Sequence, residues 1–339
     1  MEDGGSTQSG RPSRRILWVV RSVLVTLTLL TAGFLVPVPY LVLSPGPTEV
    51  VSDDFTIDGV QTYPIRGEYL STSVWAEGTN AFGAIVALFH PDRALEPFDP
   101  AAYEDVESEG AADFRLSQEL AAAAAARAVG LEARVSGSGV TVLWVDPYGP
   151  AGDELTPGDV IVAAGGRPVT TAPELVAALS SSKGRVALAV MRDGRRTGVE
   201  IEPDTYPGDP EQLPRIGAEV ATRNVTVDLP FRIRFRRTGE DLGPSAGLAY
   251  ALAIADALQP AELAGGRRIA ATGEIDERGA ARPVGGVGSK AVSVAKARAQ
   301  LFVVPEIVRR EAQREGLDVR GVRTLEAALE LLRTLGGPA

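Results

Sequence analysis

The longest apolar stretch of the chain lies near its N-terminus, in residues 23–43, where only Thr, Gly and Pro interrupt the apolar and aromatic side chains. Its length is close to the roughly 20 residues that a membrane-spanning helix needs. Four basic residues precede it: Arg11, Arg14, Arg15 and Arg21. No Lys or Arg follows until Arg66. Under the positive-inside rule, this asymmetry predicts a cytoplasmic tail and cell-membrane anchor in residues 1–44, with the bulk of the chain outside.

Two prolines leave a second interpretation open. Pro37 and Pro39 shorten the clean apolar run to residues 23–36, a length that also suits the apolar region of a cleaved signal peptide. However, no clear small-x-small cleavage site follows, and the chain has no cysteine for lipid attachment. The pattern therefore favours an anchor over a signal peptide.

Residues 45–128 have a mixed pattern. Residues 69–76 are strand-like, residues 84–89 form a short apolar run, and residues 113–129 form an Ala-rich helix that Gly130 would end. We expect an α/β connecting segment that could pack on the C-terminal part of the chain.

Residues 129–203 predict a small β-rich unit. Residues 155–169 read LTPGDVIVAAGGRPV, with a hairpin-type turn, and a helix follows that starts near Thr171 or Ala172. This order resembles a PDZ domain, and the resemblance implies that extended peptides or chain ends bind as an added strand. It also implies a peptide-binding loop near residues 136–139. A PDZ fold that only spaces or gates the next domain stays open.

A linker is predicted at residues 206–210, and residues 204–339 form the third unit. Strands and helices alternate there, which argues for an α/β domain. The predicted elements are a strand pair in 225–235, helices in 245–258, 291–299 and 324–335, and strands in 268–272 and 301–304. The fold class is therefore α+β and multidomain, with an N-terminal transmembrane helix.

Composition removes several kinds of chemistry. The net charge is -10 and the soluble part has no basic block, so nucleic-acid binding is not expected. The chain has no cysteine, and its single histidine, His90, reads as a turn residue. These counts exclude thiol catalysis and leave too few ligands for a common zinc site, so no metal or cofactor is predicted. Only three lysines occur: Lys183, Lys290 and Lys296.

Ser245 is the candidate nucleophile. It lies in Gly243-Pro244-Ser245-Ala246-Gly247, between a turn and a long apolar helix. A hydroxyl at a helix start faces free backbone N–H groups that can stabilise an oxyanion, although Ser is also a favoured helix cap. A hydrolase triad needs a histidine after the serine, and His90 precedes it. Another base must therefore take the proton if Ser245 is a nucleophile.

Lys290 is the candidate base. It follows the Gly-rich run Val284-Gly285-Gly286-Val287-Gly288-Ser289 at the start of a predicted helix. A helix N-terminus and an apolar setting both disfavour an ammonium charge, which makes a lysine usable as a base. Lys296 lies on another face of that helix and Lys183 belongs to the PDZ-like unit, so both read as solvated charges.

Three motifs in order, GPSAG, then Thr272-Gly273-Glu274, then PVGGVGSK ending at Lys290, resemble the proteolytic domain of Lon proteases. The resemblance covers about residues 217–335. It implies that Ser245 is the nucleophile and Lys290 its base, and that Thr272 lies near the lysine. Asp241-Leu242, directly before the GPSAG motif, departs from the usual Lon residues.

The order of anchor, PDZ-like unit and Lon-like unit resembles the membrane-anchored, PDZ-containing Lon-like proteases of bacteria. The sequence has no ATPase module or Walker motif. The resemblance therefore implies an ATP-independent serine endopeptidase that cuts unfolded or terminal polypeptide segments on the outer side of the membrane. It also implies a homo-oligomer, since Lon-type domains often form rings. The alternative is a non-catalytic, membrane-anchored PDZ adaptor with an inactive Lon-like scaffold.

Overall fold

A computed structural model describes residues 14–97, 103–205, 214–237 and 243–336. The predicted tail in residues 1–13, the linker at 206–210 and the Asp241-Leu242 stretch lie outside the described residues. Seven α-helices occur in the described chain: α1 Arg14–Leu35, α2 Ala81–Leu88, α3 Tyr103–Ala128, α4 Ala172–Ser181, α5 Gly247–Ala257, α6 Val287–Lys296 and α7 Leu325–Gly336. Short 3-10 helices span Pro244–Ala246 and Glu306–Val308.

Eighteen strands accompany these helices in the same ranges. They are β1 Pro37–Val50, β2 Phe55–Asp58, β3 Glu68–Asn80, β4 Ala94–Pro97, β5 Arg134–Ser136, β6 Val140–Val145, β7 Val160–Ala164, β8 Arg167–Pro168, β9 Val186–Arg192, β10 Arg195–Ile201, β11 Ala218–Thr222, β12 Thr226–Asp228, β13 Arg232–Phe235, β14 Arg268–Ala271, β15 Glu274–Ile275, β16 Ala281–Arg282, β17 Leu301–Pro305 and β18 Asp318–Val322. The mixture of helices and strands agrees with the predicted α+β class.

Helix α1 is the one described helix long and apolar enough to cross a membrane. Its apolar part, Trp18–Leu35, has a mean hydropathy of 1.8 and is not buried by the rest of the chain. A signal sequence would have the same length and composition. The predicted stretch to Leu43 is too long, because Pro37 lacks the N–H that would continue the helix and residues from Pro37 onward form β1.

The larger sheet joins distant parts of the chain. Its strand order is β18-β17-β14-β3-β1-β4. Strands β18, β17, β14 and β3 run parallel, whereas β1 is antiparallel to both β3 and β4. Residues 37–97, predicted as the end of the anchor (to residue 44) and part of the connecting segment (from residue 45), therefore supply three of the six strands. Helix α3 from the same segment packs on α5, with Phe114 and Leu248 in one buried core.

The smaller sheet has the order β10-β9-β7-β6-β11 and its own buried core. Helix α4 begins as predicted, because Thr171 and Glu174 form a reciprocal capping box. The Gly165-Gly166 turn has φ of 55° and 76°, as a two-residue hairpin turn between β7 and β8 requires. The edge strand β11 comes from the predicted third unit and pairs with β6, so this sheet continues past residue 203.

The strand pair predicted in residues 225–235 is wrong in its pairing. Strand β12 pairs with β5, and β13 pairs with β2, rather than with each other. Alternation identifies extended chain but carries no information about a distant partner. The first pairing joins the chain before the smaller sheet to the chain after it, and the second joins residues 232–235 to residues 55–58.

A candidate active site at Ser245, Thr272 and Lys290

Lys290 is the one buried lysine of the three. It lies in the first turn of α6 and is 3% exposed, whereas Lys183 and Lys296 are exposed as predicted. The helix starts at Gly286, whose φ of 65° is left-handed, and Lys290 N–H donates to the Gly286 carbonyl at 2.9 Å. A Cβ on Gly286 would lie 2.9 Å from Val74 Cγ1, so the Gly-rich loop packs closely on β3. This close approach buries the lysine.

Thr272 joins Lys290 to the backbone of Ser245. Lys290 Nζ donates to Thr272 Oγ1 at 3.2 Å, and Thr272 Oγ1 donates to the Ser245 carbonyl at 3.2 Å. The Gly273 N–H donates to the same carbonyl at 2.8 Å. The three predicted site residues are therefore brought together. Within the described ranges, the Ser245 hydroxyl makes no hydrogen bond to Lys290 or to any other group.

Burial lowers the pKa of Lys290 from its ordinary 10.5 to about 8, while the negative charges of Glu96 and Glu311 oppose the shift. Both carboxylates also bind the loop that carries the lysine. Glu96 Oε1 accepts from the Gly286 N–H, and Glu311 Oε1 accepts from the Gly288 N–H, each at 3.2 Å. They therefore hold the helix start in place while limiting how far its lysine loses charge. Both residues are distant in sequence from the Gly-rich loop, so the motifs alone did not identify them.

Ser245 occupies the 3-10 helix Pro244–Ala246 directly before α5. The capping interpretation of Ser245 is wrong: the cap of the 3-10 helix is Gly243, the cap of α5 is Ala246, and neither makes a side-chain capping bond. The Ser245 side chain is half-buried and reaches the surface. Its hydroxyl is thus available for another partner.

Helix α3 supports this turn. Ser117 Oγ donates to the Pro244 carbonyl at 2.9 Å. A Cβ on Gly247 would lie 2.9 Å from the same Oγ and 3.1 Å from the Ile275 N, so the backbone at Gly247 lies in close contact with two neighbouring elements. Residues of the predicted connecting segment therefore shape the site. Its Ala-rich sequence predicted the helix but not this contact.

A polar network joins helix α5 to two other segments of the chain. The Tyr250 hydroxyl donates to Asp54, and burial raises the pKa of Tyr250. Arg237 pairs with Glu49 and lies 3.6 Å from Asp54. These residues come from three distant segments of the sequence. They connect α5 to the chain that enters the Ser245 motif.

A cavity of about 850 Å³ lies between the Ser245 turn and the smaller sheet. Pro244 and Ser117 line it on one side, and Val220 of β11 and Val176 of α4 line it on the other. A second cavity, of about 520 Å³, also contains Val220 and Val176 and extends along β11 toward Ile216. The two cavities therefore adjoin along the groove between β11 and α4.

The groove differs from the predicted peptide-binding loop. Residues 136–139 lie against the far end of β11, where the Ser138 N–H donates to the Arg223 carbonyl at 2.8 Å. The groove instead runs along the edge of β11 that is not paired with β6. Residues 214–217, which lead into β11, also line it. An edge strand has unpaired backbone groups that can pair with another chain. Residues 136–139 therefore lie at the opposite end of β11 from the second cavity, and peptide binding by this loop stays a prediction.

Glu274, in the third residue of the Thr272-Gly273-Glu274 motif, lines the first cavity. Burial raises the pKa of Glu274, and the nearby charges of Asp113 and Asp276 raise it further. The charge of Arg282, whose guanidinium pairs with Asp276 at 2.7 Å, opposes this shift. More acidic than basic side chains line this cavity. His90, by contrast, is an exposed turn residue whose Nδ1 accepts from the Asp92 N–H, in agreement with the prediction.

Comparisons with known proteins match two parts of the chain. Residues 127–202 match the PDZ domain family, and residues 238–331 match the C-terminal proteolytic domain of Lon protease (S16). The two matches support a PDZ-containing Lon-like protease and confirm the predicted multidomain fold class. No curated protein matches the chain.

Solved structures of PDZ domains are among those that match about a quarter of the chain. A PDZ domain of an SdrC-like protein from Listeria monocytogenes is 25% identical, with a TM-score of 0.23, and the match covers 26% of this chain and 92% of that one. A solution structure of a protein from Geobacillus thermodenitrificans is 31% identical, with a TM-score of 0.21, and the match covers 22% and 90%.

Proposed function

We propose that this PDZ-containing Lon-like protein is an ATP-independent serine endopeptidase in which Ser245 is the nucleophile and Lys290 the general base. The carrying observation is the buried Lys290 ammonium, held by Thr272 beside the backbone of Ser245. With a pKa of about 8, about one lysine in ten is neutral at pH 7, compared with roughly one in three thousand at the ordinary value. A neutral amine can accept the hydroxyl proton.

The proposed reaction begins when the Ser245 proton moves to neutral Lys290 as Oγ attacks the peptide carbonyl carbon. The tetrahedral oxyanion collapses, the C–N bond breaks, and the lysine returns the proton to the leaving amine. Water then attacks the acyl-enzyme, again with Lys290 as base, and releases the second product. As the acyl C–O bond breaks, Lys290 passes the proton taken from water to Ser245 Oγ, so every proton moves through the lysine and no cofactor is needed.

Thr272 is proposed to position the lysine. Its hydroxyl donates to the Ser245 carbonyl, which leaves its oxygen free to accept an N–H from Lys290. A neutral amine that donates to Thr272 can keep its lone pair available for the Ser245 proton. The backbone N–H groups of Ser245 and Ala246 would bind the oxyanion, because those of Gly247 and Leu248 already donate to the Pro244 and Gly273 carbonyls.

The PDZ unit is proposed to select the substrate. An extended polypeptide can add to the free edge of β11, where Val176 and Val220 offer an apolar groove. The adjoining cavity reaches Pro244, so the same polypeptide could extend to Ser245. This route accepts an unfolded or terminal segment but not a folded domain, because the segment must pair as a strand.

Helix α1 is proposed to anchor the chain in the cell membrane, with the N-terminus in the cytoplasm and the catalytic unit outside. Support comes from the apolar length of Trp18–Leu35 and from the arginines on its N-terminal side. The substrates would then be polypeptides on the outer side of the membrane.

The test uses the full chain and an unfolded polypeptide such as casein. Ser245→Ala and Lys290→Ala should each reduce cleavage by at least about a thousandfold. Lys296→Ala is the matched control, since Lys296 is exposed on the same helix, and it should cleave normally. Full activity in either the Ser245 or the Lys290 variant would contradict the assignment of these residues as nucleophile and general base. A wild-type chain that binds polypeptide without cutting it would instead favour the adaptor.

A further inference from the structure

Helix α2 exposes an apolar surface although it belongs to the folded part of the chain. Its eight residues are AFGAIVAL, and Ala87 is its one buried side chain. Phe82, Ile85, Val86 and Phe89 recur at helical spacing along one side, and all four are exposed. Leu88 beside them is 71% exposed and Phe89 85% exposed. We call these five side chains the α2 patch.

No charge interrupts the α2 patch. Residues 78–91 contain no Asp, Glu, Lys or Arg. A soluble surface helix normally has a polar face toward water. Contiguous exposed apolar side chains of this kind indicate contact with a membrane or another protein.

The structure fixes the α2 patch at the end of the candidate membrane helix. Phe82 stacks on Phe34 of α1, with ring centroids 4.5 Å apart. Asn80 Nδ2 donates to the Phe34 carbonyl at 2.9 Å, and Asn80 Oδ1 accepts from the Gly83 N–H at 2.8 Å. One side chain therefore closes the last turn of α1 and caps the first turn of α2. This double contact joins the two helices at a fixed corner.

The length of α1 places this corner at the membrane boundary. Its apolar part has 18 residues, which is about 27 Å at 1.5 Å per residue, close to the roughly 30 Å hydrocarbon core. If α1 spans the membrane, Leu35 lies at the outer edge of that core. Helix α2 then begins at the lipid–water interface, where a short helix with an apolar face binds by inserting that face among the lipids.

We propose that the α2 patch inserts into the outer leaflet of the membrane and docks the catalytic unit on the bilayer. This inference rests on the proposed anchoring by α1 but not on the proposed protease activity. A second copy of the chain could cover the same face, but the continuity with α1 favours lipid.

Docking through α2 would hold the candidate site near the membrane. The loop after α2 reaches α6, where Ser289 Oγ donates to the Asp92 carbonyl at 3.2 Å. Strand β1 makes the same connection, since the Leu43 carbonyl lies 3.5 Å from Ser289 Oγ. Seven residues separate Leu43 from Val36, which is at most about 25 Å of extended chain. The contact between Leu43 and Ser289, the neighbour of Lys290, would therefore lie within about 30 Å of the end of α1.

The test exploits the absence of cysteine from the chain. Single variants Ile85→Cys, Leu88→Cys and Phe89→Cys are labelled with an environment-sensitive fluorophore and reconstituted as full chains in phosphatidylcholine–phosphatidylglycerol vesicles. Tyr148→Cys is the control, because Tyr148 is 97% exposed in the smaller unit. Leu27→Cys, within α1, reports on the anchor itself. The readouts are the emission maximum, quenching by doxyl-labelled lipid and quenching by aqueous iodide.

The proposal predicts blue-shifted emission, strong lipid quenching and weak iodide quenching for the three α2 labels, and the opposite for the label at 148. Iodide quenching of the α2 labels equal to that at 148 would overturn it. Shielding that depends on protein concentration and not on doxyl lipid would also overturn it, in favour of a second copy. If the label at 27 escapes lipid quenching, the anchor has failed; if that label alone is quenched, only the docking has failed.

Discussion

The candidate site lies at the starts of two helices, and these starts differ. Helix α5 begins directly after Ser245, and helix α6 carries Lys290 in its first turn. Ser245 precedes α5 in a 3-10 turn, is half-buried, and its hydroxyl has no hydrogen-bond partner in the described chain. Lys290 lies inside the first turn of α6, is buried, and donates to Thr272. A nucleophile has to reach the substrate, whereas a lysine base has to lose its charge. The two helix starts provide these different environments in neighbouring positions.

This difference separates activity from stability. Loss of either side chain would stop the proposed reaction. However, the Ser245 hydroxyl makes no hydrogen bond in the described chain, whereas Lys290 carries a charge that burial opposes. Substitutions of Ser245 and of Lys290 should therefore lower activity to a similar extent but change the free energy of unfolding differently.

The largest expected effect is on activity. Ser245→Ala and Lys290→Met should each lower kcat/KM for an unfolded polypeptide by at least about a thousandfold, and the double variant should be no slower than the worse single one. Residues that act as one unit give such non-additive losses. Independent, multiplicative losses in the double variant would show that the two side chains do not act together.

The next effect is on stability and concerns the start of α6. Gly286→Ala forces a Cβ into a left-handed position that is 2.9 Å from Val74 Cγ1 and 3.0 Å from Leu43 Cδ1. We expect a loss of about 2–4 kcal/mol in the free energy of unfolding. Gly243→Ala is the control at the other helix start, since its φ is -90° and no described atom lies within 4 Å of the added Cβ. Equal losses in chemical denaturation would contradict the close packing of the loop.

Lys290→Met should raise the free energy of unfolding at pH 7. The folded pKa of about 8 lies below the ordinary 10.5, so below pH 8 the folded state holds a charge that burial disfavours. The penalty is on the order of 3 kcal/mol. As pH rises from about 8 to 10.5, the folded state releases this proton first and wild-type stability should increase. Denaturation at pH 7 and pH 10 checks both signs, with Lys296→Met as the neutral control.

The smallest effect concerns Thr272. Thr272→Val keeps the shape but removes the oxygen that contacts Lys290 Nζ and the Ser245 carbonyl. We expect a loss of roughly 10- to 100-fold in kcat/KM, as for a hydrogen bond to a charged group. Thr272→Ser keeps the hydroxyl and should retain most activity. If the valine and serine variants are equally active, the hydroxyl does not position the lysine.

Local patterns predicted the smaller unit well and the larger unit only in part. The strand at residues 186–192 and the helix that starts after Thr171 follow from alternation and a capping box, which are properties of neighbouring residues. The sequence could not show that β1, β3 and β4 complete the sheet of the C-terminal unit, because strand pairing is a long-range choice. For the same reason, the sequence could not show that β11 pairs with β6 of the smaller sheet.

In the candidate site, too, residues in short local motifs could be predicted and residues distant in sequence could not. Ser245, Thr272 and Lys290 were identified from short motifs and from the scarcity of histidine and lysine. Glu96, Glu311 and Ser117 were missed, although each contacts one of the two helix starts. They lie far away in sequence within unremarkable segments, so only the folded chain brings them to the site.

The most direct test of the central claim is the pH dependence of Ser245 labelling by a fluorophosphonate probe. If Lys290 is the base, the labelling rate of the wild-type chain should rise with pH to a plateau, with a midpoint near the lysine pKa of about 8. Lys290→Met should label far more slowly and lose that midpoint, and Lys296→Met should behave as wild type. A Lys290→Met chain that labels at the wild-type rate with the same midpoint would contradict the account.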